Sequence, residues 1–119
     1  MQYTGFRDRR AYQRIPIKLS LRYLNLDSNR EGLAFTRDVS ANGIGIFTVE
    51  ELPSRTPLKI WLQIPDRSEP LYTEGKVVWS RMVEPDQYRA GVCLEKVDFM
   101  AMSRIIRLQN ITTIHKTAF

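Results

Sequence analysis

Two clusters in the sequence carry residue types able to do binding chemistry. The first is Arg9-Arg10-Ala11-Tyr12-Gln13-Arg14, in which Arg10 and Arg14 have the spacing R-x-x-x-R. Arginine is a planar, permanently charged fork that fits phosphate and the O6/N7 edge of guanine. The second cluster is Asp38-Val39-Ser40-Ala41-Asn42-Gly43, with the spacing D-x-S-x-x-G. It combines a carboxylate, a hydroxyl and a glycine in one tight turn. Each cluster also has a plain structural reading. The arginines could be a solvated basic tail, and Asp38 and Ser40 could simply bond their own turn.

The charge distribution favours the first cluster as a site. The chain has 119 residues and a formal net charge of +5. Residues 1–22 hold six basic residues (Arg7, Arg9, Arg10, Arg14, Lys18 and Arg22) against Asp8 alone, so they carry the whole excess. The rest of the chain is balanced. An anionic guanine nucleotide is the ligand that this chemistry suggests.

Catalysis and metal binding find little support. The only histidine, His115, lies near the end, and the only cysteine, Cys93, lies in an apolar run that reads as a small buried hydrophobe. A Cys/His metal set cannot be assembled from these two, and no intrachain disulfide can form. No phosphate-cradling glycine loop of the familiar kinds is present. The chain is therefore expected to be no enzyme, with no catalytic residues and no metal. No apolar run reaches the roughly 20 residues that span a bilayer. The start, Met1 to Phe6, lacks the apolar core of a signal peptide, so cytoplasmic placement without membrane insertion is expected.

The elements that must position these residues are mostly strands. Ile15 to Asn25 alternates with period two. Further strands are predicted from Leu33 to Val39, Ile44 to Phe47, Leu58 to Ile64, Leu71 to Arg81 and Tyr88 to Lys96. Gly43 and Asn42 suit a turn with positive φ. Gly75 is expected to mark a bulge or a close backbone approach. From Asp98, a candidate N-cap, the period becomes helical through Phe99, Met102, Ile105, Ile106, Leu108 and Ile111. Aromatic residues spread about one per strand read as core. The fold class is all-β: a six-stranded antiparallel barrel with a C-terminal helix at about 98–111. The expected organisation is a flexible N-terminal segment (1–8), one barrel domain (9–111) and a tail (112–119).

In these two motifs the sequence resembles the PilZ domain, a bacterial receptor domain for cyclic di-GMP. The likeness continues through Ile44-Gly45-Ile46, through Gly75-Lys76-Val77-Val78-Trp79 as a G-x-V-x-W strand, and through Tyr88-Arg89-Ala90-Gly91-Val92. It implies a barrel with a C-terminal helix and a cyclic di-GMP site. In that site Arg10 and Arg14 contact phosphate and guanine, and Asp38 accepts from guanine N1–H and N2–H. Ser40 donates to a phosphate oxygen, and Gly43 leaves room for the backbone to approach. Ala41, Asn42 and Trp79 complete the candidate set. Asn42 stands where many members have a second glycine. Arg9 adds a third cation, which in the family goes with capture of a stacked pair of ligand molecules. The resemblance implies a receptor whose N-terminal segment changes conformation on binding and signals to a downstream protein not identifiable from sequence. Two alternatives are a protein-binding adaptor without nucleotide and, less favoured, a barrel for single-stranded nucleic acid. No nucleic-acid polymer is expected as partner.

Overall fold

The computed structural model describes residues 14–66, 69–95 and 103–108. Alternation of apolar and polar residues yields seven strands. They are β1 (Ile15–Pro16), β2 (Ser20–Asn25), β3 (Arg30–Ser40), β4 (Gly43–Thr48), β5 (Pro57–Leu62), β6 (Leu71–Glu84) and β7 (Gln87–Leu94). All pairings are antiparallel. The order is β1-β3-β2-β5-β6-β7-β4, and β4 returns to pair with β3. Six strands thus close into the expected barrel, and closure leaves their backbone groups no open edge. The two-residue β1 is an attachment on β3.

Inward-facing side chains fill the barrel: Leu21, Tyr23, Ile44, Ile46, Leu58, Ile60, Leu62, Val77 and Val92 are all buried. Burying a side chain of this size contributes about 1.5–3 kcal/mol. A helix, α1, is described over residues 103–108. It inserts the buried Ile105 into the core and leaves Ile106 exposed. Arg104 fastens it to the loop after β5, donating to both oxygens of Asp66 at 2.8 and 2.9 Å and to the Glu69 carbonyl at 3.0 Å. The predicted N-cap Asp98, with Phe99, Met102 and Ile111, lies outside the described residues, as do the N-terminal segment (1–8) and the tail (112–119).

The single first strand expected from Ile15 to Asn25 is in fact two, because Thr36 interrupts the ladder. Its hydroxyl donates to the Ile17 carbonyl at 2.6 Å and accepts from Leu19 N–H at 2.8 Å. Its own N–H donates to the Leu19 carbonyl at 2.9 Å. Residues 17–19 therefore bend past β3 with the Ile17 carbonyl and both backbone groups of Leu19 satisfied. Beyond that bend β1 rejoins β3, with Pro16 opposite Asp38. The break thus delivers Arg14 to the aspartate.

Other expectations are corrected. Neither Asn42 nor Gly43 has positive φ; among the described residues Asn29, Arg55 and Asp86 do, and no glycine does. Gly43 is needed for space instead, since a Cβ there would sit 2.9 Å from the Val92 carbonyl oxygen. Gly75 is a close backbone approach and not a bulge: its Cβ would meet the Cys93 carbonyl. The bulge lies further on, between Val77 and Trp79. Cys93 is exposed, because its neighbour Val92 takes the inward position of β7. The aromatics are not mainly core. Tyr23 is buried, but Phe35, Phe47, Tyr72 and Trp79 are exposed. Apart from Tyr23 the barrel is filled mainly by aliphatic side chains.

Candidate functional site

Three of the site candidates, Arg14, Asp38 and Trp79, lie on the outer side of β3, β4, β7 and β6. Simple alternation would not put Asp38 and Trp79 there. Leu33 and Phe35 face outward on β3 while Ala34 and Thr36 face inward, so Asp38 would follow the inward set. Arg37 is an extra residue: Thr36 pairs with Ile46 and Asp38 with the next residue, Gly45. This bulge turns Asp38 outward. β6 repeats the device. Val77 faces inward opposite Val92, Val78 is extra, and Trp79 pairs with Gly91. Bulges commonly re-aim a side chain in this way.

The result is one row across four strands, in which Asp38 opposes Gly45, Gly45 opposes Gly91, and Gly91 opposes Trp79. With inter-strand steps of about 4.8 Å, the row is about 14 Å wide. The two central positions have no side chains, and their neighbours lean over them. A Cβ on Gly45 would lie 2.9 Å from Asp38 Oδ1, and one on Gly91 would lie 2.7 Å from Trp79 Cε2. Both glycines are buried, Gly45 beneath the Asp38 carboxylate and Gly91 beneath the Trp79 indole, which is itself 41% exposed. Glycine inside a strand often marks a place where something approaches the backbone closely.

Arg14 completes the carboxylate end of the row. Its Nη1 donates to Asp38 Oδ1 at 2.7 Å, and Gly45 N–H donates to the same oxygen at 3.2 Å. Two motif residues 24 positions apart are thereby in direct contact. Asp38 Oδ2 receives no hydrogen bond from the described residues. The side chain of Arg14 is 54% exposed, so this ion pair is open to exchange with a ligand.

Ser40 is placed differently. It is buried, and its hydroxyl has two acceptors within the turn, Asn42 Oδ1 at 2.9 Å and the Gly43 carbonyl at 3.1 Å. Ser40 and Asn42 thus lock the turn, Gly43 packs against β7, and Ala41 is half-buried beside them. Arg9 and Arg10 lie outside the described residues. Beside the platform runs a groove of about 640 Å³ whose lining includes Lys18, Phe35, Arg37, Phe47 and Tyr88. Lys18 Nζ rests 4.6 Å from the centroid of the Phe35 ring.

Sequence reading treated Gly45 and Gly91 only as strand residues. Their signal was position: each interrupts an apolar strand, where a glycine weakens pairing unless its missing side chain is useful. Among the described residues no group of three His, Cys, Asp or Glu side chains could hold a metal, and no helix is long and apolar enough to cross a membrane.

Comparison with known proteins places this geometry in a family. The model of the PilZ domain matches residues 8–109. No curated protein matches the chain. Among solved structures, the PilZ domain with c-di-GMP of YcgR from Escherichia coli is similar at a TM-score of 0.71 and 16% identity, over 92% of this chain and 98% of that one. The Bacillus subtilis inhibitor of motility (MotI/DgrA) gives 0.64 and 16%, over 83% and 51%. The K. pneumonia MrkH–c-di-GMP complex gives 0.65 and 13%, over 90% and 53%. The chain thus spans about half the length of the last two proteins. At such identities the likeness is one of fold. The family model spans most of the sequence, including both motifs, and on that ground the chain belongs to the PilZ domain family.

Proposed function

We propose that this chain is a receptor module for cyclic di-GMP, which it holds on the outer platform of the barrel. The observation that carries the reading is the 2.7 Å contact between Arg14 and Asp38, which joins the two motifs at one end of the row that runs from Asp38 to Trp79. Support also comes from two similar folds, those of YcgR and MrkH, whose structures contain c-di-GMP. Cyclic di-GMP offers two guanines and two phosphodiesters. Asp38 accepts guanine N1–H and N2–H, using Oδ2 and a share of Oδ1. Arg14, with Arg9 and Arg10 from the preceding segment, takes phosphate and the guanine O6/N7 edge. The exposed face of Trp79 stacks on a purine. Ser40 reaches a phosphate only by giving up an acceptor inside its turn, so its main role is to hold Asn42 and Gly43.

Under this reading the ligand draws residues 9–14 across the platform. The surface beside β1 changes, and a downstream protein reads the change. Three arginines close together in sequence, Arg9, Arg10 and Arg14, suit the charge of a stacked pair of ligand molecules. Backbone amide relaxation of residues 1–14 that is unaltered by ligand would rule out the switch.

The test is calorimetric titration of cyclic di-GMP into the wild type, Arg10→Ala and Asp38→Ala, with cyclic di-AMP as control. Binding by the wild type, rejection of the adenine analogue and loss in both variants are expected. A wild type that does not bind overturns the reading and leaves the adaptor. One observation favours a second reading: Phe35 and Phe47 stand exposed in a groove with Lys18 and Arg37, as in surfaces that stack single-stranded nucleic acid. An oligonucleotide gel shift that survives excess cyclic di-GMP would favour that alternative.

A further inference from the structure

Four large apolar side chains stand exposed around one groove on the outer side of β3 and β4. Phe35 and Phe47 lie directly opposite each other across the two strands. Leu33 and Val49, 74% and 72% exposed, line the same groove of about 640 Å³. Single exposed apolar residues are ordinary, but a cluster of them commonly marks a surface that a partner covers. The charge at this groove has one sign. Among the described residues, the charged ones lining it are Lys18 and Arg37, and neither is within ion-pair distance of a carboxylate. Lys18 holds its ammonium over the Phe35 ring, so cation and apolar surface are presented together.

The sign of the charge selects the occupant. Residues 1–13 carry Arg7, Arg9 and Arg10 against Asp8, and residues 109–119 carry Lys116 and no acid. Both are repelled by Lys18 and Arg37. A second copy docked face to face would set these two cations against their own equivalents. Nucleic acid fits less well, because bases stack on rings and Leu33 and Val49 are aliphatic. We propose that the groove docks an amphipathic helix of a partner protein, whose apolar stripe is flanked by Asp or Glu. The closed barrel offers its six main strands no free edge for an added strand, so side chains must hold the partner. Leu33 and Phe35, two positions apart on β3, are separated by about 6.8 Å. That is close to the rise of about 6 Å between residues i and i+4 of a helix. Phe35 and Phe47 take the apolar stripe, and Lys18 and Arg37 take the carboxylates. None of these four residues belongs to the proposed nucleotide contacts, so the inference stands apart from the cyclic di-GMP reading.

The experiment is fluorescence anisotropy with labelled amphipathic peptides of about 14 residues, roughly four helical turns. The first peptide has a leucine stripe flanked by glutamates. The second has lysines in place of the glutamates, and the third has alanines in place of the leucines. The wild type is expected to bind the first and neither of the others. Phe47→Ser should weaken that binding by about tenfold, the scale of truncating a central anchor, with the melting temperature kept, since the ring is exposed. The double variant Lys18→Glu/Arg37→Glu keeps the apolar surface and should transfer the preference to the lysine peptide. No preference for the glutamate peptide, or equal affinity in Phe47→Ser, would overturn the proposal. It is also overturned if an oligothymidylate displaces the peptide, which assigns the groove to nucleic acid. Self-association of the wild type that Phe47→Ser abolishes would assign it to a second copy. Amide shifts of residues 1–13 or 109–119 caused by Phe47→Ser without peptide would assign it to the chain itself.

Discussion

The barrel has two outer faces built from the same kinds of residue, and they treat charge and register in opposite ways. On the face formed by β2, β5 and the first half of β6, polar groups are matched to one another. Arg22 pairs with Glu31 at 3.1 Å and lies 4.1 Å from the ring centroid of Trp61. Trp61 packs against Tyr72 with centroids 5.4 Å apart, and the Tyr72 hydroxyl donates to Glu74 at 2.5 Å. The pairings of β5 with β2 and β6 run without a register shift. On the face formed by β3, β4, β7 and the rest of β6, both β3–β4 and β6–β7 shift register. There, glycines replace side chains, and Arg81 and Arg89 go without carboxylates among the described residues. The first face is complete by itself. The second keeps an exposed indole and an exposed arginine at the two ends of a glycine row, groups that a ligand would engage.

The sharpest way to break this contrast is Asp38→Ala. It removes the guanine acceptor and the partner of Arg14, and cyclic di-GMP affinity is expected to fall by about 10- to 100-fold, on the scale of about 1–3 kcal/mol per specific base contact. Calorimetry would show it. Next comes a matched pair of tryptophans. Trp79→Ala should weaken binding by about tenfold, since stacking on one base contributes about 1–3 kcal/mol. Trp61→Ala, on the matched face, should leave affinity unchanged. Equal losses in the two would erase the distinction between the faces.

A smaller effect belongs to the core under the matched face. Burial and the hydrogen bond to Glu50 hold the Tyr23 hydroxyl well above its ordinary value of 10.0. The folded state therefore favours the protonated phenol. That stabilisation is complete below pH 10.0 and drains away as pH rises above it. Tyr72, pushed up to about 12 mainly by its hydrogen bond to Glu74, acts in the same direction. Chemical denaturation between pH 9 and 11 (roughly the onset of phenol ionisation) should show stability falling in the wild type and falling less in Tyr23→Phe. The smallest effect is expected from Glu31→Ala. It breaks an ion pair whose side chains are both largely exposed, so it should cost no more than about 0.5 kcal/mol and leave ligand affinity alone.

Much of the barrel could be read directly from the sequence. Period-two alternation located six strands because inward positions of a closed sheet must be apolar, and residues such as Leu58, Ile60 and Leu62 obey this rule. The same rule hid the site. Alternation assigns Trp79 to the interior, and on β3 the apolar Leu33 and Phe35 mark the face that proves exposed; the extra residues Val78 and Arg37 shift the phase in each strand. No local sequence signal marks either residue, since a bulge is settled by pairing between distant strands. Positive φ was expected at Gly43 because glycine permits it, whereas the constraint there comes from the Val92 carbonyl across the strand. The split of the first strand was equally hidden, because it depends on the Thr36 hydroxyl standing in for backbone. Arg14, Asp38, Ser40 and Gly43 were singled out by motif spacing together with the family resemblance, and of these the structure brings Arg14 and Asp38 into contact. Gly45 and Gly91 were passed over, because what they contribute is the absence of a side chain.

The two bulges also set what kinds of genetic change the platform can absorb. Replacing Arg37 or Val78 with another residue keeps the count of positions, and with it the phase of everything that follows. Losing either residue by an in-frame deletion would shift the phase by one. Asp38 or Trp79 would then rotate toward the aliphatic interior, while the residue chemistry of the motif stayed intact. A three-nucleotide deletion of Arg37 would therefore dismantle the platform while leaving every letter of R-x-x-x-R and D-x-S-x-x-G in place.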